Sequence, residues 1–191
     1  NYPNSGSKAG AVISPDGDEG DLVSENAIGD WASGSWSISA WFKTAASSPD
    51  DLDINQTILS KYIDDGEKPY KVWINSNGTL RGKNRVSNMN TSTNVADNLW
   101  HHLVYTVDGT HQHLWLDGTH KVSANVGALE DLVDSTKVLI GASHNSAGNA
   151  NEFFSGSIKH VSYWGLFLTA STAGSALPGA SASAGMIYDL Y

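Results

Sequence analysis

The clearest pattern along the chain is alternation. Ser35-Trp36-Ser37-Ile38-Ser39-Ala40-Trp41-Phe42 places Trp36, Ile38, Ala40 and Phe42 on one face and the serines with Trp41 on the other. A period of two is the mark of a strand with one buried face. Residues 57–62 and 70–74 predict two further strands around the acidic turn Asp64-Asp65-Gly66, and Asn75-Ser76-Asn77-Gly78 supplies residues that tolerate positive φ before Thr79-Leu80-Arg81. Residues 100–107 and 113–116 are joined by Asp108-Gly109-Thr110-His111, and Asp117-Gly118 turns the chain into Lys121-Val122-Ser123, so two Asp-Gly turns predict two hairpins. Residues 137–142 and 157–164 predict strands on either side of the polar loop 143–152. Helical signal is nearly absent, with a single turn over 128–133 and weak helix-like propensity after Phe167. The chain is therefore expected to be all-β. Residues 169–185 are Ala, Ser and Gly around Pro178 and predict a surface loop, whereas 186–191, with Met186, Ile187, Tyr188, Leu190 and Tyr191, are apolar enough to be expected to dock back.

Composition narrows the picture. At 191 residues with 40% hydrophobic side chains, residues 1–191 are expected to form one domain with its own core. The chain has no cysteine, which removes thiol catalysis, thiolate metal sites and a disulfide scaffold together. The formal charge is −9, with no run of Lys and Arg to track phosphates, so neither nucleic acid nor an anionic membrane is an expected partner. No stretch approaches the roughly 18 apolar residues of a membrane span, and the opening NYPNSGSKAG has neither a basic nor an apolar leader segment. Without an initiator Met, the chain reads as a processed or excised fragment.

Several blocks then occur in fixed order: Gly34 to Lys43, Ile58-Leu59-Ser60-Lys61, Asn75 to Leu80, Asn98-Leu99-Trp100-His101-His102-Leu103-Val104-Tyr105-Thr106-Val107-Asp108-Gly109, Leu114-Trp115-Leu116-Asp117-Gly118, Leu139-Ile140-Gly141 and Phe154-Ser155-Gly156-Ser157-Ile158. Over residues 9–168 this order resembles the laminin G-like domains of the concanavalin A-like lectin/glucanase superfamily, and more distantly the pentraxins. The resemblance implies an antiparallel β-sandwich jelly-roll of two packed sheets, one concave, with calcium at the rim and glycans or proteins bound along an edge or the concave face. Alternating strands need such a second sheet to cover their apolar face.

Three kinds of chemistry follow. Hydrolases of this sandwich group carry a Glu-x-Asp-x-x-Glu strand, and this chain has none; its acidic residues fall in turns, so no enzyme is expected. Asp16, Asp18, Glu19 and Asp21 read as a solvated loop. His101 and His102 read as structural, while His111, His113 and His120 gather at one hairpin, where His113 and His120 can face each other. Calcium is the candidate cofactor. The likeness to pentraxins implies that loops 49–56 and 143–152 face each other, with Asp53, Asn55, Asn145 and Glu152 as metal ligands; His144 and Asn145 stand where that pattern prefers acidic residues, which weakens the site. A second calcium, between loop 16–21 and the last strand, would meet Lys159 or His160 there, which disfavours it.

Aromatic residues on the non-core faces are the third kind, because sugar rings stack on indoles while neighbouring polar groups fix the hydroxyls. Trp115, with His113 and Asp117 in phase, is the expected stacking platform. Trp73, between Val72 and Ile74, is expected to be buried or half covered on both faces, and Trp41 to be structural. Arg81 and Arg85 with the Asn-rich run 84–94 read as a loop able to line a groove. The expected function is a non-catalytic glycan-binding or surface-recognition module of a larger secreted, cell-surface or virion protein, with a glycan, polysaccharide or surface protein as partner. The alternative is a structural or adhesion module contacting protein, such as a virion decoration or fibre domain. That alternative would show an exposed apolar patch instead of a polar cleft with isolated aromatics. A glycoside hydrolase stands third.

Overall fold

The computed structural model describes residues 11–12, 35–61, 70–84, 86–126, 138–164 and 186–190, the first and last of these by their backbone. The acidic loop 16–21, the turn at 64–66, Arg85, residues 128–133 and residues 165–185 lie outside the described residues.

Among the described residues fourteen strands follow one another: β1 (Ala11–Val12), β2 (Trp36–Thr44), β3 (Gln56–Lys61), β4 (Tyr70–Ile74), β5 (Thr79–Lys83), β6 (Asn88–Asn94), β7 (His101–Val107), β8 (His111–Leu116), β9 (Thr119–Asn125), β10 (Leu139–Ile140), β11 (Ser143–His144), β12 (Ala150–Asn151), β13 (Gly156–Trp164) and β14 (Met186–Leu190). They form two six-stranded antiparallel sheets, the first in the order β1-β10-β3-β4-β5-β6 and the second β14-β13-β2-β7-β8-β9, with β11 and β12 as a small separate hairpin. The result is the all-β jelly-roll sandwich that the alternation and the block order predict.

The face assignment of β2 holds residue by residue. Trp36, Ile38, Ala40 and Phe42 point into the core, as do Tyr70, Val72, Ile74 and Leu80 from the first sheet and Leu103, Tyr105, Leu114 and Leu116 from the second. Trp36 joins the layers: its ring lies 5.1 Å from Tyr70 of the first sheet and 5.3 Å and 6.1 Å from Tyr105 and Tyr163 of the second. Asp117 and Gly118, at φ 51° and 74°, make the tight β8–β9 turn that the Asp-Gly pair predicts.

Residues 84–94 are a correction. Residues 88–94 are not a loop but strand β6, with Met89 and Thr91 turned in and Asn88 and Asn90 turned out. Asparagine is a poor strand former, but the inward Met89, packed against Gly82 of β5, outweighs that local preference. Before it, the buried Asn84 side chain accepts from the Val86 and Ser87 amides and closes an Asx turn. Strand β10 is shorter than residues 137–142, and loop 143–152 holds the β11–β12 hairpin.

Candidate functional site

The outward positions of the two sheets differ in chemistry. In β4, Tyr70, Val72 and Ile74 belong to the core, so Lys71 and Trp73 face out. Register then sets Trp73 between Thr57 of β3 and Arg81 of β5, and Arg81 beside Asn90 of β6, while Lys71 stands opposite Lys83, which pairs with Asn88. Two rows of polar side chains thus cross four strands, with one indole among them. Trp73 and Arg81 are half-buried, and Asn88 and Asn90 are exposed. Arg81 Nη1 donates to Asn90 Oδ1 at 2.6 Å. Arg81 Nε and Trp73 Nε1 are screened from water and meet no acceptor among the described residues.

At the rim of this face, the Glu152 carboxylate forms an ion pair with Lys71, whose ammonium also lies 5.2 Å from the Trp73 ring centroid. It also accepts from Asn55 Nδ2 at 3.3 Å and Thr57 Oγ1 at 3.4 Å. Glu152 adopts φ 48°, a left-handed conformation that costs a non-glycine residue, and its own carbonyl accepts the Thr57 amide at 2.9 Å. The two loops implied to face each other do meet here, through Asn55 and Glu152.

Asp53 and Asn145 do not complete a calcium cage with them. Asp53 is exposed, and Asn145 Oδ1 is spent on the Ala147 and Asn149 amides of its own turn, both at 3.0 Å. The neighbouring Asp51 is likewise used locally, accepting from the Ser47 and Ser48 amides to cap a 3-10 turn, Pro49–Asp51. Among the described residues no three His, Asp or Glu side chains converge on one point. With Lys71 already against Glu152, these residues do not fit a hard cation, which needs six to eight oxygens.

The expected platform at Trp115 lies on the opposite side of the sandwich. Leu114 and Leu116 enter the core, so Trp115 faces out from the second sheet, away from Arg81. It is only 9% exposed, with His120 packed edge-on at 4.7 Å, so the indole offers little face to a sugar. His113 and His120 do face each other, with ring centroids 5.6 Å apart. Burial, with the charge of His113 added, holds His120 below the usual imidazole range. Burial raises the Asp108 carboxyl, but the His111 and Thr110 amides, the Thr110 hydroxyl and His113 together hold it well below the usual carboxylate range. Asp117 is engaged too: one oxygen accepts the His102 amide at 2.8 Å and the other meets His101 Nδ1 at 2.8 Å, while His101 Nε2 lies 3.1 Å from Asp97. His101 and His102, the latter stacked on Trp41 at 5.0 Å, are built into the sheet as expected of structural residues.

The predicted ligand residues are therefore divided. Trp115, His113 and Asp117 sit together on the second sheet, Arg81 sits on the first, and Arg85 lies outside the described residues. Trp73, expected to be buried or half covered on both faces, is half-buried on the polar face of the first sheet. Its signal in the sequence is the cross-strand position: a tight turn at Asn75 to Gly78 sets Trp73 opposite Arg81.

Residues 16–173 match a laminin G-like family model described as the concanavalin A-like lectin/glucanases superfamily. No curated protein sequence matches the chain. Solved structures of similar fold include a Bacteroides ovatus protein classed as carbohydrate-binding, at 17% identity and a TM-score of 0.64 over 82% of this chain; the chain spans 45% of that protein's length. A second is the carbohydrate-binding module CBM40 of a Ruminococcus gnavus sialidase bound to α2,3-sialyllactose, at 14% identity and 0.60 over 75% of this chain and 83% of that one. A third is domain 4 of an extracellular arabinanase from Geobacillus stearothermophilus with arabinotriose, at 18% and 0.54 over 81% and 68%. These likenesses are of fold. With the family model covering most of the chain and both sheets in place, this protein belongs to the concanavalin A-like lectin/glucanases superfamily, in its laminin G-like branch.

Proposed function

We propose that the chain is a non-catalytic glycan-binding module that holds saccharide on the outward face of the first sheet, around Trp73. The observation that carries this reading is the row Thr57, Trp73, Arg81 and Asn90: one half-open indole flanked by hydrogen-bonding groups, in place of an apolar patch. The indole supplies a surface for the C–H face of a pyranose, and Arg81, Asn88 and Asn90 supply donors and acceptors for its hydroxyls. Binding without turnover is supported by the sequences of β3–β6, which contain no Asp or Glu to serve as an acid and base pair. The carbohydrate-bound neighbours of the same fold, one of them a domain of an extracellular enzyme, support reading the chain as one module of a larger extracellular protein.

A glycan array probed with the purified chain, with and without chelator, tests the proposal. Binding is expected and is expected to survive the chelator, because Lys71 already neutralises Glu152. On the best saccharide, Trp73→Ala is expected to weaken affinity at least about tenfold, close to 1.4 kcal/mol, while Trp115→Ala leaves it unchanged. Loss of binding in Trp115→Ala alone would move the site to the second sheet. An array without any signal would favour the protein-contacting alternative.

A further inference from the structure

Around Trp73 the described residues place an arginine without a carboxylate partner, although the chain is acidic. The formal charge is −9, yet the outward positions of β4 and β5 include Lys71, Arg81 and Lys83, and β3–β6 carry no carboxylate. The carboxylate that reaches this face from the rim, Glu152, is held by Lys71. Arg81 is in a different position. Its one hydrogen-bond partner among the described residues is the neutral amide oxygen of Asn90, and no carboxylate among those residues pairs with it. Its Nε, and the indole N–H of Trp73 across the strand pair, have no acceptor among the described residues. The cation and the stacking surface are therefore side by side, with donors in excess of acceptors. A guanidinium is a planar fork that matches a carboxylate with two parallel hydrogen bonds, and an uncompensated charge at a half-buried position attracts anions more strongly than one in open water.

We infer that the ligand is an acidic sugar: a carboxylate-bearing residue, sialic or uronic, whose carboxylate pairs with Arg81 while its ring rests against Trp73. The inference rests on the glycan-binding reading above and names its ligand class.

Calorimetric titration of the purified chain distinguishes the two sources. 3′-Sialyllactose is compared with lactose, and trigalacturonate with its methyl ester, at about 50 mM and about 500 mM NaCl, which spans a several-fold change in screening length. In one pair or the other the acidic member is expected to bind about tenfold or more tightly than its neutral counterpart at low salt, with the advantage shrinking at high salt. Asn90→Asp places a carboxylate beside Arg81 from an exposed position. It is expected to bring the acidic ligand down to the affinity of the neutral one, with the melting temperature held. Arg81→Lys, which keeps the charge and loses the fork, is expected to fall between. Equal affinity for acidic and neutral members in both pairs would overturn the acidic-sugar inference and leave glycan binding standing. A preference undiminished in Asn90→Asp would overturn the role of Arg81. Binding of no saccharide at all would overturn both readings.

Discussion

Lys71 takes the place at the rim that the likeness to pentraxins reserves for a metal: its ammonium meets Glu152, which Asn55 and Thr57 also contact. The Lys71 side chain is 6% exposed and that of Glu152 25%, so removing the cation leaves a partly desolvated carboxylate with only the neutral donors Asn55 and Thr57. Lys71→Met is expected to lower the unfolding free energy in urea by about 2–3 kcal/mol, somewhat less than for a fully buried pair. Millimolar calcium is expected to raise the melting temperature of that variant and not of the parent. An equal rise in the parent would return the rim to calcium. His120 gives a pH dependence whose sign follows from its environment. Burial, aided by His113, lowers its folded pKa below the usual imidazole value of about 6.5, so the unfolded chain binds the proton more readily. The contribution of this residue is complete above about pH 6.5 and is lost as the pH falls towards and through the depressed folded value. Thermal melts between pH 7.5 and 5 are expected to show a fall in stability that is smaller in His120→Gln. An identical fall in both would assign the loss to other groups.

At the level of strands, legibility tracked how far local preference agreed with the fold. Strand β2 was readable to the residue because its alternation, its propensities and its final burial all point the same way. Strand β6 was not, because Asn88, Asn90 and Asn94 have weak strand preference and only Met89 and Thr91 report an inner face. Pairing of β2 with β13 depends on Gly156, which lies opposite Thr44 at φ 148°, where a Cβ would collide with the Lys43 carbonyl and crowd the Phe154 ring. Gly156→Ala is expected to cost about 3 kcal/mol, from a forbidden backbone conformation and a backbone clash together. Chemical denaturation checks it, and a loss below about 1 kcal/mol would mean that the β13 end relaxes freely.

For the whole molecule the sandwich is joined through its aromatic centre. Trp36 is fully buried and contacts Tyr70 from one sheet and Tyr105 and Tyr163 from the other. Trp36→Ala is expected to cost about 3–5 kcal/mol. Near-ultraviolet and far-ultraviolet signals are expected to be lost together, since neither sheet keeps a covered face without the other; separate transitions would show that one sheet stands alone. The inward face of β2, the two hairpins at Asp-Gly turns and the all-β architecture follow from the sequence alone. Alternation and turn chemistry act between near neighbours, and burying one face of each strand leaves a second sheet as the means of covering it. The membership of the candidate site was decided only by tertiary structure. Sheet order sets Trp115 and Arg81 on opposite sides of the sandwich, and it brings Asn55, Lys71 and Glu152 together from strands and loops far apart in the chain. Which outward side chains share a surface depends on strand neighbours and register across the sheet, and that is a long-range property of packing that no local pattern encodes.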